Sequence, residues 1–304
     1  MNKKLLALAV GAAFALPVVA SAQPTLYGKI DVSLENDDNG ATDQWNVVSN
    51  ESFVGIKGEA DTNVDGLKAI YKGAWYIAAD DGSVGPFQTH EIYVGLQGGF
   101  GTLMAGNMDT PTQLVQGKVD QFDGTSIDMA NLVGGELNAP NIVAYASPKI
   151  ADTVTVTVAL WQGEGATLDG DVAEGIGDAV SASVVYENEG LYLGLGFDMD
   201  TPHGALGSYG VDVGDDKQDI IRLVAGYTTD SWEAGFLYQM VEDAGGGNGE
   251  DVSMLLSGAY KTGDWKFKAQ YAATEGDASG FERTLMAIGA DYALGKSTTA
   301  YAFY

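Results

Sequence analysis

The sequence predicts an all-β chain, a transmembrane antiparallel barrel, from three observations. Apolar and polar residues alternate with a period of two, short connections alternate with long ones, and no run after the first 22 residues reaches the roughly 20 apolar residues a spanning helix requires. In "DTVTVTVALW" (152–161), Val154, Val156, Val158 and Leu160 share one face and Thr153, Thr155 and Thr157 the other. "GLYLGLGF" (190–197), "SWEAGFLYQM" (231–240) and "DWKFKAQY" (264–271) repeat the pattern, the last setting Trp265, Phe267, Ala269 and Tyr271 against Lys266, Lys268 and Gln270. No segment of similar length holds a helical period.

Extended along the chain, this pattern gives about fifteen strands, near 24–35, 48–59, 65–78, 88–98, 100–107, 139–148, 151–162, 178–188, 190–199, 218–229, 231–242, 250–262, 264–274, 282–293 and 295–304. Most are about ten residues, the length of a tilted strand crossing a bilayer. The connections "QGGFG", "PKIAD", "ENEG", "TTDS", "KTGD" and "LGKS" are short. Those near 36–47, 79–87, 108–138, 163–177, 200–217, 243–249 and 275–281 are long. An up-and-down barrel sorts its loops this way, with tight turns on the periplasmic side and long loops outside. Tyr27, Tyr71, Trp75, Trp161, Tyr186, Trp232, Tyr260, Trp265 and Tyr271 stand near strand ends, as interfacial girdles require. A closed barrel pairs its backbone without long apolar runs, and its outward face supplies the apolar band while the inward face is expected to stay polar.

Residues 1–22 read as a cleaved signal peptide: Lys3 and Lys4, an apolar stretch to Ala20, then Ala20-Ser21-Ala22. Residues 23–304 then form a single barrel. That segment carries 13 basic and 42 acidic residues, a net of −29. Such a balance argues against nucleic-acid partners, which demand clustered Lys and Arg. The chain has no cysteine and only two histidines, His90 and His203, so no disulfide and no transition-metal cage is expected. No Ser/His/Asp constellation is enforced by spacing, so no catalytic residues are assigned. "DDNG" (37–40) and "DDGS" (80–83) are oxygen-rich but complete no EF-hand; they read as turns, with loop-bound calcium a weak alternative and no other cofactor implied.

Five blocks then carry a family resemblance: "TLYGKIDVSLE" (25–35), "SFVGIKGEADTNVDGLKAIY" (52–71), "YVGLQGGFGTLMAGNMDTP" (93–111), "NIVAYASPKI" (141–150) and "YALGKSTTAYAFY" (292–304). In this order and spacing the chain resembles the Gram-negative trimeric general porins. The resemblance implies a homotrimer in the outer-membrane lipid, each barrel of 16 strands, with the third external loop folded inward to narrow a channel for ions and small hydrophilic solutes. That loop corresponds to Met108–Asn138 and carries Asp109, Asp120, Asp123, Asp128 and Glu136 against one base, Lys118. In relatives such acids face bases on the barrel wall. Strand alternation lets Lys29, Lys57, Lys68, Lys72, Arg222, Lys266, Lys268 and Arg283 point inward. Relatives usually have Arg where this chain has His90, Asn107 and Ser297, so the expected channel prefers cations. A substrate-selective pore with an aromatic stacking track, and a secreted acidic adhesin, are the alternatives. With the first strand rising from the periplasm, a fifteenth strand at 295–304 ends outside, so one further loop and strand are expected beyond Tyr304.

Overall fold

The computed structural model describes residues 24–38, 40, 43–80, 87–165, 167–168, 171–202, 217–243, 250–276 and 282–304. The expected signal peptide, His203 and most of "DDGS" lie outside these residues.

The chain folds as β1 (Thr25–Lys29), β2 (Val32–Asp38), β3 (Asp43–Ser49), β4 (Phe53–Asp61), β5 (Lys68–Tyr76), β6 (Gln88–Gly98) and β7 (Gly101–Asp109). After the long loop come β8 (Asn138–Ala146), β9 (Val154–Trp161) and a two-residue pair, β10 (Thr167–Leu168) with β11 (Asp171–Val172). Then follow β12 (Ala179–Asn188), β13 (Leu191–Pro202), β14 (Lys217–Thr228), β15 (Trp232–Asp243), β16 (Glu250–Thr262), β17 (Trp265–Gly276), β18 (Glu282–Ala293) and β19 (Thr299–Phe303). Fifteen of them form one sheet in chain order, every described pairing in it antiparallel. The sheet is therefore an up-and-down meander, in which each strand reaches its neighbour through a short hairpin or an external loop.

Two expected strands are each broken. Residues 24–35 form β1 and the start of β2, and 48–59 form the end of β3 and most of β4. The expected loop 36–47 is mostly paired: β2 and β3 run as a separate two-stranded ribbon past the main sheet. The break falls at Ile30–Asp31 and Asn50–Ser52, where the Ser52 hydroxyl takes the Asp31 amide proton (2.9 Å) and replaces a ladder bond. The ends of the sheet approach one another. The Tyr301 hydroxyl on β19 donates to Asp31 Oδ1 (2.6 Å) and accepts from Asn50 Nδ2 (2.7 Å), although β1 and β19 share no described ladder.

The turns follow local chemistry. Between β12 and β13, Glu189 and Gly190 take φ of 47° and 85°, the left-handed pair that a two-residue hairpin needs. A Cβ at Gly190 would collide with the Thr228 carbonyl oxygen, so the site also demands glycine for space.

The outward face is apolar: Leu193, Phe197, Ile221, Leu223, Leu256, Phe267, Met286 and Ile288 are all exposed. In a soluble protein so continuous an apolar surface would be anomalous; on a spanning sheet it meets acyl chains. The inward face departs from expectation. On β14–β17, Val224, Leu237, Leu255 and Ala272 point inward and are fully buried, because the long loop packs on them. Under the loop these apolar side chains are mixed with buried polar ones, Arg222, Gln239, Gln270 and Thr274, so the covered wall is not uniformly polar.

Candidate functional site: the constriction loop and the passage beside it

The segment between β7 and β8 enters the lumen and is held there. It opens with a short helix, α1 (Pro111–Leu114), capped by Thr110, whose Oγ1 accepts the Gln113 amide. A 3₁₀ turn, Met129–Asn131, follows, capped by Asp128. Between them the chain is knotted by carboxylate–amide bonds. Asp120 accepts from Phe122 N (2.6 Å) and Met129 N (2.7 Å), and Asp128 from Ala130 N (2.7 Å) and Gly124 N (2.5 Å). These acids shape the loop.

Its apolar residues form an internal core with the wall: Val115, Val119, Met129, Leu132 and Val133 against Val224, Leu237, Leu255 and Ala272. Glycines admit the close approach. A Cβ on Gly194 would stand 2.5 Å from Val115 Cγ2, and one on Gly235 would stand 2.8 Å from Val119 Cβ. Polar bonds finish the seat: Gln270 Oε1 accepts the Gln121 amide (2.9 Å), Thr274 Oγ1 donates to Leu132 O (3.0 Å), and Ser257 donates to Val119 O.

Arg222 is the strongest fastening. Its side chain is fully buried under the loop, where Nη1 donates to Glu136 Oε1 (2.6 Å) and Thr112 O (3.1 Å). Nη2 donates to Gly134 O (2.6 Å), and Nε to Gln239 Oε1 (2.6 Å). A planar guanidinium can bind two carbonyls, a carboxylate and an amide at once; lysine could not. Burial raises the Glu136 carboxyl to about 7, against the opposing pull of Arg222. Burial, with Asp120 beside it, pushes Asp128 up to about 8.

The sequence-derived site residues therefore separate. Asp120, Asp128 and Glu136 serve the loop's own structure, while Asp123 is exposed and Asp109 partly so. Although its side chain reaches the lumen, the surrounding loop and wall partly desolvate the Asp123 carboxyl and, with Asp120, raise it against the opposing pull of Lys29. Among the bases, Arg222 sits on the wall but is covered, so it presents no charge to open water. Lys266 (2.9 Å to Glu233) and Lys268 (3.0 Å to Asp291) are ion-paired, and the Lys268 ammonium lies 4.8 Å over the Phe122 ring of the loop. Lys68 pairs with Glu59 (2.5 Å) at an exposed position, and Arg283 lies on β18 opposite Thr274.

Lys29, Lys57 and Lys72 stand on the wall the loop leaves open. Lys29 is 3.8 Å from Asp31, Lys72 pairs with Glu91, and Lys57 lies 4.8 Å over the Tyr27 ring. Glu51, in the break between β3 and β4, is in the field of Asp123, Lys29, Asp109 and Asp31. Sequence reasoning missed Glu51 and Glu91. The parity of Glu91 with Tyr93 on β6 was a usable signal; Glu51 needed the strand break, which no local pattern marks. Five carboxylates (Asp31, Glu51, Glu91, Asp109, Asp123) thus share the open passage with three lysines.

Comparisons with known proteins agree with this architecture. The model of the Gram-negative porin family matches residues 7–304. The major outer membrane protein P.IB of Neisseria meningitidis serogroup A is 30% identical over 327 residues, spanning 99% of this chain and 91% of that protein. Its counterpart from Neisseria lactamica is 27% identical over 324 residues, with the same shares covered. Among solved structures, an anion-selective porin from Comamonas acidovorans superposes with a TM-score of 0.79 at 22% identity, covering 92% of this chain and 87% of that one. The trimer form of OmpT from Vibrio cholerae gives 0.68 at 18%, covering 93% and 87%. The family, the relatives and the fold agree: this chain belongs to the Gram-negative porin family, non-enzymatic β-barrel channels of the outer membrane.

Proposed function

We propose that the chain assembles as a homotrimer and passes small hydrophilic solutes and ions by diffusion, with a preference for cations. The carrying observation is the charge of the open passage. Asp109 and Asp123 project from the loop side toward a wall whose lysines are largely engaged with Asp31 and Glu91, and Glu51 adds a further carboxylate. Fixed carboxylates beside a narrow aqueous path enrich counter-ions and repel anions without a tight site. The anion-selective neighbour shares the fold at an identity too low to carry its selectivity over.

Screening sets the range. At 0.1 M salt the Debye length is ~10 Å and the passage charges act across it; at 1 M it is about 3 Å and the preference fades. The test is the reversal potential of purified protein in a planar bilayer under a KCl gradient. A cation-directed potential that shrinks at high salt is expected, and an anion-directed one refutes the selectivity while leaving the channel. Chemical cross-linking in detergent, expected to give trimers and no larger species, checks the assembly.

A further inference from the structure

The open wall carries a feature that inorganic ions do not use. On the lumen side of β1, β4, β5 and β6 four rings touch in series: Tyr27, Phe53, His90 and Tyr76. Tyr27 meets Phe53 edge-on (centroids 5.6 Å apart), Phe53 meets His90 at 5.9 Å, and His90 lies 4.2 Å from Tyr76 with a 32° tilt. Pairing places three of them: Tyr27 stands opposite Gly55, and Phe53 opposite both Lys29 and Tyr76. His90 joins by a bulge. The register of β5 with β6 slips between Ala74 and Trp75, so His90 is the extra residue between Thr89 and Glu91 and turns onto the aromatic row.

The row is partly exposed and rimmed by acids in excess of the three lysines, Lys29, Lys57 and Lys72, that share the wall. Tyr76 is in the field of Glu51, Asp109, Glu91 and Asp123, and His90 Nε2 is 3.7 Å from Glu91 Oε2. A cation already rests on one ring, Lys57 on Tyr27. Two polar atoms in the row, the Tyr27 hydroxyl and His90 Nδ1, are buried and have no hydrogen-bond partner among the described residues. Lipid does not explain these rings, since the same strands meet it with Leu26, Ile56, Ile92 and Val94 on the opposite face. Aromatic faces beside carboxylates match a flat or ring-bearing solute that carries positive charge.

We propose that Tyr27, Phe53, His90 and Tyr76, with Glu51, Glu91, Asp109 and Asp123 as rim, form a station that binds amine- or guanidinium-bearing organic cations with a planar face during their passage. It rests on the cation-preferring reading above and adds a solute class to it. The rings supply stacking and cation–π contact, the acids draw the charge in, and contact on one side only keeps residence short.

The experiment uses the full chain in planar bilayers and two probes of equal charge, benzyltrimethylammonium and tetraethylammonium. The concentration that halves the KCl current is expected to be about five- to tenfold lower for the aromatic probe, the size of one ring–ring contact, since both probes carry a quaternary ammonium that can lie over the rings. In a Tyr76→Leu/His90→Leu variant that difference is expected to vanish, the benzyltrimethylammonium value rising by more than the tetraethylammonium value. Heat-modifiable migration reports whether the variant folds; if it does not, Tyr76→Leu alone is measured. Equal blockade by the two probes in the unaltered protein, or an aromatic preference that survives the substitutions, overturns the station. An anion-directed reversal potential instead sinks the underlying selectivity, so the two failures are distinguishable.

Discussion

The two halves of the barrel's inner wall are built on opposite terms. The half from β12 to β17 carries an apolar, glycine-studded seat interspersed with buried polar groups; the loop covers that seat, and one buried arginine fastens it. The half made by β1 and β4–β6 is charged, aromatic and wet, and the loop leaves it free. The chain thus spends one wall on holding its constriction and the other on meeting solutes. Residues of one chemical type mean different things on the two sides. Arg222 is a structural bolt and Lys29 a channel charge; Leu237 is core and Phe53 is surface.

Perturbing the first half should move stability and pore size together. Arg222→Met leaves Glu136, Gly134 O and Gln239 without their donor, and breaking a buried pair this way costs ~3–5 kcal/mol. The loop should undock, with a lower melting temperature in detergent and a larger single-channel conductance. Leu237→Ala removes a fully buried side chain under the loop and should cost about 2–4 kcal/mol, with the same signs. A melting curve and a conductance histogram check both.

A milder perturbation is pH. The raised Asp128 carboxyl means that the folded loop holds that proton more tightly than an unfolded chain would. Its contribution is therefore fully present below the ordinary carboxylate range and is lost as pH rises through about 8. Melting temperature should fall as pH rises from about 5 to about 8 and level off above that, and Asp128→Asn should flatten that dependence. Perturbing the second half should leave stability nearly alone. Asp123→Asn is expected to move the reversal potential toward zero with no shift in melting. Smallest of all is Lys68→Gln, at an exposed pair remote from both functions, which should change neither.

Much of this was legible in sequence, but unevenly. β16 at 250–262 and β18 at 282–293 fall where alternation puts them, because an apolar face against lipid imposes a strict period. Alternation also assigns Arg222 to the lumen, yet it cannot say what that face meets. The meeting depends on a loop 86–110 residues away in the chain. A clue was present: Leu237 shares a face with Glu233, Gly235 and Gln239, Leu255 lies between Ser253 and Ser257, and Val224 follows Arg222. Apolar residues at lumen parity mark something that covers them. The His90 bulge and the break at Asn50–Ser52 were not legible, since a one-residue slip leaves composition and period almost unchanged.

Whether the loop is seated on one wall while conduction uses the space beside the other can be measured with one engineered bridge. The chain has no cysteine, so Val115→Cys and Gly194→Cys introduce a single possible bridge across the loop–wall contact, where a Cβ on residue 194 would lie against Val115. The bridge should form readily on oxidation, and the oxidised and reduced proteins should show the same single-channel conductance and the same cation-directed reversal potential. A bridge that will not form, or a conductance that changes when it does, would contradict the account.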